Sequence, residues 1–231
     1  MMRDVCSGMK RHSKSVRWMM AAMLVVSILY TISSCLQRWP SAMVSYNQML
    51  TETSTRALLP MCLILLFVGS CQPTALLLAR RSTRSIFATN LAWLVLVVAG
   101  CTLIGTAVFG VTMPLVYGPK VLQGMPHMLL VLAVRVFMMC LSVSLVAVLV
   151  VTLGVRWPVA VAVLLAVFTL GNWVLTAFAG TVSRYLYFFW YPIGDDWPVV
   201  VVNQVVPFVG FLIVVVAADL FAFSRFDHLE G

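Results

Sequence analysis

Two long apolar stretches follow each other from His127 onward and limit the fold more than any other part of the chain. Only the short hinge Gly154–Pro158 separates them. Each stretch is long enough to cross a hydrocarbon core, because a thickness of about 30 Å needs about 20 apolar residues. Helices on the surface of soluble proteins carry a polar face, and neither stretch has one. The two stretches therefore predict a membrane hairpin.

The composition of the whole chain indicates the same class of protein. Hydrophobic residues make up 62% of the 231 residues, charged residues make up 10%, and the mean hydropathy is +1.04. These values are typical of membrane proteins with several spans. A formal charge of +8 would also suit a nucleic-acid-binding protein. Here, however, the basic residues form short clusters between apolar runs, which is the pattern of membrane-helix flanks.

We predict an all-α membrane protein whose residues 1–231 form a single transmembrane domain. A basic cytoplasmic segment, residues 1–17, precedes six spans. The predicted spans are residues 18–36, 57–79, 87–111, 128–153, 158–180 and 198–223. The aromatic segment 181–197 suits the outer membrane interface, and its length also allows it to re-enter the bilayer.

The first apolar run also resembles a signal peptide, since a basic segment precedes it and a lipoprotein-like box ends at Cys35. Its length and the five later spans favour an uncleaved first helix instead. The six cysteines of the chain form no C-x-x-C pair and no metal-ligand spacing. We therefore expect reduced, buried thiols that serve packing, and no metal site.

The distribution of basic residues predicts the orientation in the membrane. With both termini in the cytoplasm, inside segments hold ten basic residues and outside segments hold four. Because basic residues favour the cytoplasmic side, this orientation in the cell membrane is the expected one.

Motifs of catalysis are absent from the sequence, which has no G-x-x-x-x-G-K-[ST], no H-E-x-x-H and no G-x-S-x-G. We therefore predict no enzyme and no nucleotide or other cofactor bound by this chain itself. Two charged residues within predicted spans are the candidates for function, Arg135 and Asp219. Arg135 either contacts an anionic substrate or a partner in a central pathway, or it snorkels or pairs structurally. Asp219 either belongs to such a pathway or pairs near the inner interface, with Arg225 or with a basic loop.

The loop between the second and third predicted spans is short and basic, with Arg80, Arg81, Ser82 and Arg84. It is either an anchor beside anionic lipid or a docking element for a cytoplasmic partner. Three stretches resemble the ABC-2 family of ABC-transporter permeases. They are Ser82-Thr83-Arg84-Ser85-Ile86, the span pair from Ser142 to Phe168, and Phe221-Ala222-Phe223-Ser224-Arg225-Phe226-Asp227. The order of spans is also similar, although Gln72-Pro73-Thr74-Ala75-Leu76 stands where many members have a coupling helix with Glu and Gly.

The resemblance implies an ABC-2 permease fold of the type V exporter kind. It also implies that a separate cytoplasmic ABC ATPase, carrying ATP and Mg²⁺, docks on the loop of Arg80, Arg81, Ser82 and Arg84. A second permease subunit, identical or different, would complete the transporter. Short outer loops and apolar span faces favour export of an amphipathic, lipid-like or peptide substrate. The alternative is a multi-spanning membrane protein that does not transport and instead has an interaction, immunity or regulatory role.

Overall fold

The computed structural model describes residues 83–181 and 196–226, together with ten isolated positions between residues 21 and 46. Those positions are Ala21, Leu24, Val25, Ile28, Leu29, Ile32, Ser41, Met43, Val44 and Tyr46. All regular structure in these described residues is helical. The described part of the chain is therefore all-α, as the sequence predicts.

The first two long helices form an antiparallel hairpin. Helix α1 covers Thr83–Tyr117 and helix α2 covers Met125–Thr152, with a 3₁₀ turn at Pro119–Gln123 between them. The first two helix positions of α2 include Pro126, where the missing amide hydrogen removes no helical hydrogen bond.

Helix α1 extends past residue 111, the predicted end of the third span, and continues through Pro114 to Tyr117. A proline removes one helical hydrogen bond, which apolar packing in a membrane helix tolerates. The helix ends at Gly118 instead, whose φ of 85° is in the left-handed region that favours glycine.

A sharp turn joins α2 to the next helix at the hinge that the sequence indicates. Gly154 has a φ of 92°, and its amide donates to the Val151 carbonyl at 2.9 Å. The amide of Val155 donates to the Val150 carbonyl at 3.3 Å. This pair of hydrogen bonds is a Schellman motif, which satisfies carbonyls at the end of α2.

Each of the two remaining helical stretches consists of two helices joined by a π-helical turn, which is wider than an α-helical turn. Helix α3 covers Trp157–Ala166, a π-helical turn covers Val167–Gly171, and helix α4 covers Asn172–Phe178. Helix α5 covers Trp197–Val200, a second π-helical turn covers Val201–Val205, and helix α6 covers Val206–Phe226. A π-helical turn accommodates one additional residue, so it changes which side chains face the bundle after it.

Two aromatic contacts define the two ends of the bundle. The rings of Phe87 in α1 and Phe223 in α6 lie 6.1 Å apart between centroids. The rings of His127 in α2 and Trp197 in α5 lie 6.0 Å apart in an edge-to-face arrangement. Helices α2 and α6 are therefore parallel, and both run opposite to α1. We call the two ends the Phe87 end and the His127 end.

Three helical stretches are long and apolar enough to cross a membrane, among the residues that the structure describes. They are Phe87–Tyr117, Met125–Thr152 and Trp197–Arg225. In the predicted first span, the described positions from Ala21 to Ile32 are helical and exposed. The predicted second span and residues 182–195 of the outer segment lie outside the described residues, so six spans stay a prediction.

The centre of the bundle lies between α1 and α2, with α6 packed on both helices. Its side chains are mainly Val, Leu, Met and Phe, and Cys101 and Cys140 are buried among them. This confirms the packing interpretation for these two cysteines. Large apolar residues cover the outer face of α6, for example Val209, Ile213 and Phe221. Such a face suits lipid tails.

Candidate polar sites inside the bundle

Arg135 lies inside the protein and bonds to two other parts of the chain. It is 2% exposed. Its Nε donates a hydrogen bond to Oε1 of Gln204 at 2.9 Å, and its Nη1 donates to the Tyr46 hydroxyl at 3.5 Å. Gln204 and Tyr46 are each 0% exposed. We call these three residues the Arg135 cluster.

Arg135 lies deep within α2, and its place in a substrate pathway stays a prediction. Arg135 is ten residues after Met125, the first residue of α2, and this places it about 15 Å along the helix axis. A snorkelling side chain would extend toward the end of the helix and reach water. Instead, the guanidinium group bonds to Gln204 on a neighbouring helical stretch. The structure thus pairs Arg135 within the protein.

The second π-helical turn directs Gln204 toward Arg135. Val200, Gln204 and Phe208 are buried at successive intervals of four residues, while Asn203 beside them is exposed. A regular α-helix turns by 100° per residue, so residues that follow each other at intervals of four move gradually away from one contact face. The wide turn at Val201–Val205 compensates for this drift. The Gln204 side chain thus forms a hydrogen bond between two helical stretches.

Tyr46 was not identified as a site residue from the sequence, because it lies in a polar segment between two predicted spans. In the structure its ring packs against Phe109 of α1, with a distance of 6.3 Å between the ring centroids. Its hydroxyl lies at Arg135. A tyrosine in such a segment is usually interfacial, so the local pattern contains no signal for this contact.

Asp219 lies on the packed face of α6 and is 1% exposed. Neither carboxylate oxygen has a hydrogen-bond partner in the part of the chain that the structure describes. The expected pair with Arg225 is not formed, since the guanidinium carbon of Arg225 lies 5.2 Å from the centre of the Phe221 ring. Six residues separate Asp219 from Arg225, which places them on different faces of the helix.

Three more buried polar atoms lack a hydrogen-bond partner within the described ranges. They are Nε1 of Trp93 and the hydroxyl oxygens of Ser142 and Ser144. Buried hydroxyl groups in helices often bond to the carbonyl four residues earlier, as Thr102 does at 2.9 Å. The two serines do not form this bond. Unsatisfied buried polar atoms are rare in folded proteins, so each of these three atoms calls for an explanation.

The helix register places these atoms near Asp219 along the bundle axis. The contacts Phe87–Phe223 and Arg135–Gln204 put Asp219 level with about residue 91 of α1 and residue 150 of α2. Trp93, Ser142 and Ser144 then fall within about 12 Å of Asp219 along the axis. All four residues lie in the half of the bundle nearer the Phe87 end. We call them the Asp219 zone.

The charged residues at the helix ends differ between the two ends. Arg156 and Arg225 are exposed at the Phe87 end, where α1 begins and Arg84 occupies its first turn. The described charges at the His127 end are Lys120 and Asp196, which cancel. Of the predicted docking residues, the structure describes the backbone of Arg84. Arg80, Arg81 and Ser82 lie outside the described residues.

No group of three or more His, Cys, Asp or Glu side chains that could hold a metal ion occurs among the described residues. The two polar sites, the Arg135 cluster and the Asp219 zone, therefore offer charge and hydrogen bonds rather than metal ligands.

Comparison of the chain with models of protein families, with curated proteins and with solved structures found no match.

Proposed function

We propose that this protein is the membrane permease subunit of an ATP-driven ABC transporter, with ATP hydrolysis on a separate cytoplasmic ATPase. The observation that carries the proposal is the placement of ionisable side chains between long apolar helices. Arg135 and Asp219 are both buried within candidate spans. Ionisable residues inside membrane segments are costly and commonly belong to substrate or ion pathways.

The arrangement of charge supports an ATPase at the Phe87 end. Exposed basic residues gather there, and the loop of Arg80, Arg81, Ser82 and Arg84 leads directly into α1. Positive residues favour the cytoplasmic side of a membrane. A cytoplasmic ATPase docked on this loop would act on the first turn of α1, and α1 contacts both α2 and α6. Rigid-body movement of helices is a common means of such coupling.

The remaining features of the proposal follow from the resemblance to ABC-2 permeases. They are six spans, both termini in the cytoplasm, location in the cell membrane, and assembly with a second permease subunit. The exported substrate would be amphipathic, lipid-like or a peptide, because apolar faces enclose few and separated polar groups.

Co-purification with an ATPase tests the proposal directly. The full chain is co-expressed with each ABC ATPase subunit encoded next to it in the source genome, and the complex is reconstituted in lipid nanodiscs. We expect a stable complex whose ATP hydrolysis depends on this chain. Replacing Arg80, Arg81 and Arg84 together by Ala should lower ATPase association at least tenfold. Lys120→Ala at the His127 end is the matched control and should leave association unchanged.

Two results would contradict this proposal. One is ATP hydrolysis by the purified chain alone, and the other is full ATPase association of the triple Ala variant. A chain that assembles stably in the membrane, but neither binds an ATPase nor supports ATP-dependent transport, would favour the non-transporting interaction, immunity or regulatory role.

A further inference from the structure

The buried carboxyl group of Asp219 needs a hydrogen-bond donor or a positive charge beside it, and the described residues donate no hydrogen bond to it. It is 1% exposed, and neither of its oxygens accepts a hydrogen bond within the described residues. Transfer of an ionised carboxylate into an apolar environment is highly unfavourable unless a positive group or hydrogen-bond donors accompany it. The site therefore needs a proton or a cation to be stable.

The basic side chains that the structure describes on α2 and α6 do not supply that cation. On α6 itself, Arg225 stacks on Phe221. On α2, Arg135 is about 22 Å away along the axis and bonds to Gln204. On α1, the backbone of Arg84 lies about 10 Å along the axis from the level of Asp219. Asp219 is the one acidic side chain buried among the described residues.

The environment of Asp219 suits an ammonium group attached to an apolar tail. Trp93 of α1 lies about 3 Å from the level of Asp219 along the axis and has an aromatic ring. Aromatic rings and carboxylates both attract cations, most strongly where water is excluded. The core of the described bundle is mainly Val, Leu, Met and Phe, and such side chains would pack against a hydrocarbon tail.

We propose that Asp219 binds the cationic head group of an amphipathic amine. One part of this proposal rests on the proposed function, namely that the bound amine is the transported molecule. In the packed arrangement Asp219 is covered, so binding requires α6 to move away from the helices packed against it. An entering ammonium group replaces the proton of the neutral carboxyl group, and that proton passes to water.

Binding of dodecylamine to the purified full chain in nanodiscs tests this proposal. Radiolabelled dodecylamine is measured by scintillation proximity, with empty nanodiscs subtracted to remove partitioning into lipid. We expect saturable binding that unlabelled dodecylamine displaces and that dodecanol, which has the same tail without the charge, does not. Asp219→Asn should weaken binding at least tenfold, and Asp219→Glu should restore part of it. The matched control Asp196→Asn, at the exposed end of α5, should bind as the unchanged protein does.

Wild-type affinity in the Asp219→Asn variant would overturn the proposal, as would equal displacement by dodecanol. Folding does not confuse the result, because Asp219→Asn replaces a carboxyl group without hydrogen-bond partners by an amide of similar size and should leave the thermal midpoint in nanodiscs about the same. Since no ATPase is present, failure of the two proposals is distinguishable. Amine binding without ATPase association would contradict only the transporter function, and ATPase coupling without amine binding would contradict only the role of Asp219.

Discussion

Nε of Arg135 lies 2.9 Å from Oε1 of Gln204, and this hydrogen bond joins two helices that the sequence separates by 69 residues. Both side chains are buried, so the bond is made in an apolar environment. There it holds α2 and the start of the α5–α6 stretch in one register. Several measurable properties of the protein depend on this register and on the packing around it.

The Arg135–Gln204 bond is expected to stabilise the bundle by a modest amount. Arg135→Met and Gln204→Leu should each cost about 1–3 kcal/mol, because each leaves a buried polar partner unsatisfied. The double variant should cost less than the sum of the two, with a coupling of about 0.6–1.7 kcal/mol. Unfolding in mixed micelles with increasing SDS measures all four proteins of this cycle. Additive effects would show that the bond contributes nothing to stability.

Tyr46 is expected to contribute through its ring more than through its hydroxyl. The hydroxyl lies 3.5 Å from Arg135, a long contact, while the ring packs against Phe109 and is fully buried. Tyr46→Phe should therefore change the free energy of unfolding by less than about 1 kcal/mol. Tyr46→Ala should cost about 3–5 kcal/mol, because it leaves a cavity. Equal effects of the two substitutions in the same unfolding assay would show that the ring contributes no more to stability than the hydroxyl group does.

Two glycines in membrane helices are expected to respond differently to a larger side chain. A β-carbon at Gly110 would lie 3.1 Å from Cδ1 of Leu129, whereas a β-carbon at Gly210 meets no atom within 4 Å. Gly110→Val should thus cost about 1–3 kcal/mol by forcing α1 and α2 apart. Gly210→Val is the matched control and should stay within about 0.5 kcal/mol. Thermal unfolding in detergent compares them, and a larger loss at Gly210 would contradict the packing of the hairpin.

The orientation of the bundle is expected to place the His127 end outside the cell. Lys120 and Arg156 are exposed at opposite ends of α2 and are thus suited to a labelling test. In a cysteine-free variant, Lys120→Cys should react with a membrane-impermeant maleimide on intact cells. Arg156→Cys should react only after permeabilisation. Reaction of both positions from outside would show that α2 does not cross the membrane.

Local signals in the sequence were sufficient where backbone chemistry decides the structure. The hinge at Gly154–Pro158 combines a glycine and a proline, and the structure has a helix end and a helix start there. Pro114, by contrast, lies in the last turn of α1, where it removes one helical hydrogen bond without ending the helix. A proline alone does not distinguish a kinked membrane helix from a loop.

The polar sites were predictable only in part. Arg135 and Asp219 are visible in the sequence, because a charge inside an apolar run is unusual. Their surroundings depend on tertiary contacts that no local pattern contains. Gln204 faces Arg135 because of a π-helical turn, and Tyr46 reaches it from a distant segment. The face on which Asp219 lies is likewise set by the packing of α6 on its neighbours.

The wide turn at Val201–Val205 has a consequence for tolerance to deletion. Removal of Asn203 alone would let this turn relax into an ordinary α-helix. Because the wide turn holds one residue more than an α-helical turn, the segments carrying Trp197 and Asp219 would keep their relative orientation. Trp197 would stay beside His127, and Asp219 would stay on the packed face of α6. The loss of one codon should therefore be tolerated here, whereas the same loss in the regular helix after Val206 would turn one end of the stretch by about 100° away from its neighbours.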